Sequence, residues 1–315
     1  MVGVFGKGKD DKGKKYSCII CQKELPSMEE LVKHEASHLK DSKGKAAELL
    51  AGSAKKLVSD DDGKLKPKKL EYIKTGIPGF DEMMDKGIPV GTSVLISGGP
   101  GSGKTLFCLH MANYFAKNKQ KCLYMSFEED VERLKLHMKD FGWDPEKLIK
   151  EGYLVMRQFD PFEVVKTIEA MVEESKGELL IKTPPIKFMQ EFQPKIVMLD
   201  SLSAVAAAFS GHETSYRLYI SQLFRYFNQI GVNSFLITET EEIPTEITRR
   251  GCEEFLADGV VLLYNLKKTS VRVSALEILK MRGSKHQKRM VPMQILEGKG
   301  IVIYPKQDVF EAIET

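Results

Sequence analysis

Eight consecutive residues, Gly98-Gly99-Pro100-Gly101-Ser102-Gly103-Lys104-Thr105, carry the strongest chemical signal in the sequence. They follow the apolar run Ser93-Val94-Leu95-Ile96-Ser97 and precede a segment of helical period. That is the context a G-x-x-x-x-G-K-[ST] phosphate-binding loop requires. Glycines let successive backbone N–H groups converge on phosphate oxygens, and a helix N-terminus adds a favourable field. Lys104 is expected to bridge the terminal phosphates of ATP, and Thr105 to hold Mg2+. A second carboxylate on the Mg2+ side is expected where Ile196-Val197-Met198-Leu199 ends in Asp200.

Hydrolysis needs a group that orients and deprotonates water. Leu123-Tyr124-Met125-Ser126-Phe127 runs into Glu128-Glu129-Asp130 soon after the phosphate-loop helix. If this strand neighbours the phosphate-loop strand, its carboxyl end faces the terminal phosphate. Glu128 is then the expected general base, with Glu129 assisting.

A second chemical constellation lies near the N-terminus. Cys18, Cys21, His34 and His38 form C-x2-C-x12-H-x3-H, the spacing of a zinc finger. Two thiolates on a tight turn can meet two histidines that share one helical face, closing a tetrahedral Zn2+ site. Tyr16, Leu25 and Leu31 supply a miniature core, too small to fold without the metal. The approach to His34 reads Pro26-Ser27-Met28-Glu29-Glu30-Leu31-Val32-Lys33 and lacks the basic and amide side chains that read base edges. A protein contact is therefore the favoured role for the finger over duplex reading.

The elements that must position these groups follow from pattern. From about residue 70 onward, short apolar runs alternate with segments of helical period, which predicts a mainly parallel sheet covered by helices. Strands are expected at 93–97, 122–127, 153–156, 196–199 and 234–238, and helices at 104–117, 129–141, 161–175 and 215–231. The stretch 259–304 reads as consecutive strands, so the sheet should end in antiparallel hairpins. The expected organisation is a disordered basic tail (1–15), a zinc finger (16–39), a linker with one marginal helix at 46–58 (40–69) and an α/β domain (70–315).

Composition bounds the rest. The chain of 315 residues is 42% apolar, enough for a genuine core, and no run of eighteen apolar residues suggests a membrane span. Its opening lacks the apolar stretch of a signal peptide, so a cytoplasmic location is expected. Five cysteines, three of them in apolar surroundings, argue against a disulfide framework. The formal charge of +3 is uneven: residues 1–69 hold sixteen lysines against eleven acidic groups, a net +5, which leaves −2 for the remainder.

Taken together, five spaced motifs resemble the KaiC-like branch of the RecA superfamily. They are Thr75-Gly76-Ile77-Pro78-Gly79-Phe80-Asp81 with Gly87-Ile88-Pro89-Val90-Gly91, the phosphate loop, Phe127-Glu128-Glu129, Leu199-Asp200-Ser201-Leu202 and Lys280-Met281-Arg282-Gly283-Ser284-Lys285-His286. The resemblance implies a RecA-like core that assembles into a ring, typically a hexamer, with ATP between neighbours. It also implies that Lys280 and Arg282 reach the neighbouring subunit's terminal phosphate and stabilise charge there. Clock proteins of this family carry two such domains in tandem and this chain carries one, so circadian function is not implied. Glu254 and Phe255 stand about where the phosphorylating clock domain presents hydroxyls, which argues against autokinase activity. The finger is an addition to that architecture.

Three functions are consistent with these readings: a ring-forming regulatory or signalling ATPase, a DNA-repair or recombination accessory ATPase binding single strands, and a weakly hydrolysing ATP-sensing adaptor. Loops 209–214 and 241–250 are where relatives hold DNA. Glu241, Glu242 and Glu246 stand beside Arg249 and Arg250, so DNA is the less favoured ligand. His212 reads as a surface residue.

Overall fold

The computed structural model describes residues 16–17, 24–25, 70–174, 184–240, 253–268 and 271–309. The chain divides into two compact units, residues 1–69 and 70–315.

Of the first unit, the described part is a short antiparallel pair. Strand β1 (Tyr16–Ser17) lies against β2 (Glu24–Leu25), with Tyr16 opposite Leu25. In the sequence this pair brackets Cys18 and Cys21. All four expected zinc ligands, Cys18, Cys21, His34 and His38, lie outside the described residues, as does the expected helix at 46–58.

The second unit opens with β3 (Tyr72–Ile73) and β4 (Ile88–Pro89), paired antiparallel. Asp81 ties the turn between them by accepting from Thr75 N (2.8 Å), Thr75 Oγ1 (2.9 Å) and Gly76 N (3.0 Å). The Thr-Gly-Ile-Pro-Gly-Phe-Asp motif is thus a carboxylate-closed loop.

Then come β5 (Ser93–Gly98), α1 (Lys104–Lys117), β6 (Cys122–Ser126), α2 (Val131–Asp140), α3 (Pro145–Lys150), β7 (Leu154–Gln158) and α4 (Pro161–Glu174). They are followed by α5 (Pro184–Phe192), β8 (Ile196–Asp200), α6 (Leu202–Ala208), α7 (Glu213–Ile230), β9 (Asn233–Glu239) and α8 (Glu253–Leu256). Four strands close the described chain: β10 (Gly259–Lys268), β11 (Val271–Met281), β12 (Val291–Leu296) and β13 (Gly300–Ile303).

The nine larger strands form one sheet in the order β13-β12-β11-β10-β5-β9-β8-β6-β7. From β10 to β7 every neighbour is parallel, whereas β10 to β13 pair antiparallel. The mixed architecture expected from the pattern is the one observed.

Side-chain alternation explains why both faces are covered. Val94 and Ile96 of β5, Cys122 and Tyr124 of β6, Ile196 and Met198 of β8, and Phe235 and Ile237 of β9 join one core with α1, α2 and α3. The intervening Leu95, Leu123, Met125, Val197, Leu199 and Leu236 join a second core with α4, α6 and α7. Strands buried on both faces read as unbroken apolar runs, which is why the central strands were visible in the sequence.

One condition is not met and one expectation needs correction. Strand β6 pairs with β8 and β7, not with the phosphate-loop strand β5, which lies between β9 and β10. Helix α2 begins at Val131 rather than Glu129, because Asp130 stays extended and caps it, its side chain accepting from Arg133 N. The four short helices α3, α5, α6 and α8 were not anticipated, being too brief for their period to stand out.

Candidate active site

The phosphate loop lies where the sequence places it, between β5 and α1. Gly103, directly before the helix, has φ +91°, a conformation open to glycine and strained for other residues. Gly98 is needed for another reason: a Cβ there would stand 2.4 Å from the carbonyl oxygen of Leu263 on the neighbouring strand β10. Beyond the loop, α1 is anchored by Phe107, edge-on to Phe80 with ring centroids 5.3 Å apart. Phe107, Leu109, Met111 and Phe115 are all buried, so the loop rests on a rigid helix.

Lys104 is 9% exposed; its Nζ donates to Gly99 O at 2.9 Å and lies 3.9 Å from Glu239 Oε1. Burial lowers its ammonium below the usual lysine range, while Glu239, Asp200 and Glu128 oppose that shift. Thr105 Oγ1 donates to Asp200 Oδ2 at 2.8 Å.

Sheet register explains the rest of the carboxylate's surroundings. Ser126 of β6 is level with Asp200 of β8. Tyr124, two residues earlier, faces the same side, and its hydroxyl donates to Asp200 Oδ2 at 2.7 Å. Burial raises the Asp200 carboxyl above the ordinary range, the bonds from Tyr124 and Thr105 act against that, and Glu128 and Glu129 add to the rise. Tyr124 itself is pushed well up by burial and by the Asp200 charge.

Glu128 and Glu129 reach this place although their strand is not beside β5. Glu128 Oε1 accepts a short hydrogen bond from Ser201 Oγ, directly after Asp200. Ser126 Oγ closes the turn by donating to Glu129 O (2.6 Å) and accepting from Glu129 N (3.0 Å). The Glu129 carboxylate turns toward α2, where His137 Nε2 is 3.2 Å and Arg133 Nε 3.5 Å from Oε2.

These groups surround one cavity of about 410 Å3, lined by Lys104, Thr105, Glu128, Glu129, His137 and Asp200 among others. Leu106, Leu109, Phe141 and Ile237 give it an apolar wall. A convergent set of polar groups in a cleft of this size is what a small-ligand site looks like. The residues present fit a Mg2+-polyphosphate: an amine, a glycine-rich loop at a helix N-terminus, and a hydroxyl beside a carboxylate.

Lys280 and Arg282 are not brought into this cavity. Lys280 Nζ donates to Ala257 O (2.6 Å) and Glu254 O (3.2 Å), at the end of α8. Arg282 lies 3.5 Å from Asp258. Met281 is level with Gly259 and so with Val94, at the start of β5, whereas the phosphate loop leaves its end. About 13 Å of strand separates the two levels.

Sequence reasoning missed Tyr124, Ser201, Glu239 and His137. Tyr124 sits within an apolar run that reads as core; its alternation with Ser126 was the available signal. Residues 129, 133 and 137 share a helical spacing of four, and that was the signal for His137. Segment 241–250 lies outside the described residues. His212 is exposed, as expected of it. Among the described residues no cluster of three or more His, Cys, Asp or Glu side chains could hold a metal ion on its own, and no helix is long and apolar enough to cross a membrane.

Comparison with known proteins agrees with the geometry. Residues 73–308 match the family model described as "ATPase: KaiC". The circadian clock protein KaiC3 of Synechocystis sp. is 34% identical over 236 residues, 75% of this chain and 46% of that protein. The circadian clock oscillator protein KaiC of Synechococcus elongatus is 32% identical over 240 residues, 74% of this chain and 44% of that one. This chain thus spans about half the length of the curated relatives it matches. The crystal structure of a KaiC-like protein from Pyrococcus horikoshii OT3 superposes with a TM-score of 0.63 at 30% identity, covering 75% of this chain and 100% of that one.

Proposed function

The chain belongs to the KaiC ATPase family with a RecA-like α/β fold, and from that premise we propose that the cleft binds Mg-ATP and hydrolyses it to ADP and phosphate. The observation that carries the reading is the convergence of Lys104, Thr105, Asp200 and Glu128 on one cavity from three different sheet strands and their following turns. Thr105 and Asp200 would hold Mg2+, whose charge offsets that developing on the phosphates. Lys104 binds the terminal phosphate oxygens, and Glu128, held by Ser201, orients the attacking water and takes its proton. Glu129 assists by adding negative charge beside it.

The catalytic set is completed by Lys280 and Arg282 of a neighbouring copy, in a ring that is typically hexameric. Supporting this is their position at the opposite end of β5 from their own phosphate loop. The ring acts as a regulatory or signalling ATPase in the cytoplasm. The finger, with Zn2+ on Cys18, Cys21, His34 and His38, is its contact with a protein partner. The antiparallel pairing of β1 with β2, which flank the two cysteines in the sequence, supports the zinc assignment.

Replacing Glu128 by Gln tests the core of the proposal. Binding of a fluorescent ATP analogue should persist while turnover falls on the order of a hundredfold; undiminished turnover refutes the assignment. Lys104→Ala should lose nucleotide binding. Cys21→Ser should remove stoichiometric zinc, read by metal analysis of the purified chain.

A further inference from the structure

His137 lines the cleft beside its carboxylates, and the function above leaves it unused. Among the described residues lining the cavity, the carboxylates are Glu128, Glu129, Asp200 and Glu239, against Lys104 and His137 as the basic groups. The entering nucleotide is itself a polyanion. Whether His137 carries a proton therefore decides how much negative charge the nucleotide must meet.

The geometry ties that charge to one carboxylate. Glu129, Arg133 and His137 succeed one another at intervals of four residues along one stripe of α2 and the turn before it. Arg133 Nε and His137 Nε2 both approach Glu129 Oε2, at 3.5 and 3.2 Å. Glu128, by contrast, is taken by Ser201. The adjacent carboxylates are thus divided, one directed to the Asp200 turn and one drawn back onto α2.

Several other charged groups around α2 are engaged elsewhere. Lys135 pairs with Glu132 at 2.7 Å, and Lys139 with Glu146 of α3 at 2.6 Å. Arg157 of β7 lies over the Phe188 ring, 4.7 Å from its centroid. From α1, Lys104 faces the cleft and His110 is buried, accepting from Ile301 N. Lys147 and Lys150 are the remaining charges of α3, beyond Glu146.

The geometry points to His137 as a positioning residue that makes nucleotide affinity depend on pH: protonated, it neutralises Glu129 and favours Mg-ATP; neutral, it leaves the cleft more negative. An imidazole is the side chain whose ordinary titration spans the physiological range. The inference rests on the cleft being the nucleotide site.

The test is the affinity of the full chain for a fluorescent ATP analogue with Mg2+, measured between about pH 5.5 and 8.5. Wild type should weaken roughly two- to five-fold as pH rises, the size of a partly exposed ion pair. His137→Arg, permanently charged, should stay at the tight value throughout, and His137→Gln at the weak one. The analogue's own phosphate protonation is common to all three and cancels in the comparison. Circular-dichroism melts confirm that each variant is folded. Parallel profiles for wild type and His137→Gln overturn the inference. Lys104→Ala separates the two levels: if it abolishes binding while the profiles stay parallel, the inference alone falls; if it binds like wild type, the nucleotide reading falls and takes the inference with it.

Discussion

At the scale of single residues, the site is organised around a buried carboxylate. Asp200 accepts from both Thr105 and Tyr124, so its charge is held by two hydroxyl donors. Thr105 is a nucleotide-side group, whereas Tyr124 belongs to the core and touches the cavity only through Asp200. Tyr124→Phe should therefore lower stability by about 1.5–3 kcal/mol, the worth of a hydrogen bond to a charged group, read by urea unfolding. The sequence singled out two carboxylates at strand ends, Asp200 and Glu128, and an amine and a hydroxyl after a glycine loop, Lys104 and Thr105; all four line the one cavity. The residues that hold them were not legible. A serine after an aspartate and a tyrosine within an apolar run carry no local mark of their partners, which come together only through sheet register.

At the scale of elements, α1 joins the site to the antiparallel end of the sheet. His110, six residues into the helix from Lys104, is buried against Trp143, and its Nδ1 accepts the Ile301 N–H of β13. Burial, with a smaller contribution from Lys117, lowers its titration from 6.5 to about 4. The folded chain thus refuses a proton that the unfolded chain takes up between those values. Stability from this contact is full above about pH 6.5 and declines as pH falls toward 4. The slope is at most about 1.4 kcal/mol per pH unit. Melting of wild type against His110→Gln across that interval checks it: the wild-type curve should fall more steeply. Truncating Phe107 to Ala, under the same helix, should cost about 3–5 kcal/mol. The long apolar periods of α1 and the central strands announced themselves in sequence. Strand order did not, because five parallel strands with similar apolar runs can be threaded in several orders. Whether β6 lies beside β5 stayed open for that reason, and it does not.

At the scale of the whole molecule, the cavity and the Lys280–Arg282 pair lie toward opposite ends of the same strands. On the trans reading, Lys280→Ala combined with Arg282→Ala should leave nucleotide binding intact and cut turnover on the order of a hundredfold. Mixing that variant with Lys104→Ala subunits should restore activity, since an intact cleft then meets intact cations. At equal proportions about a quarter of the sites are complete by random assembly; a mixture as inactive as its components refutes the arrangement. A surface of this kind does not match itself, so two copies cannot satisfy each other by a two-fold axis. On that reading copies would add head to tail instead, and an open row would always keep one cleft unserved at its end. Turnover per subunit would then climb with every added copy and level off only when the row meets its own beginning, which makes the specific activity of the protein, followed against its concentration, a gauge of closure.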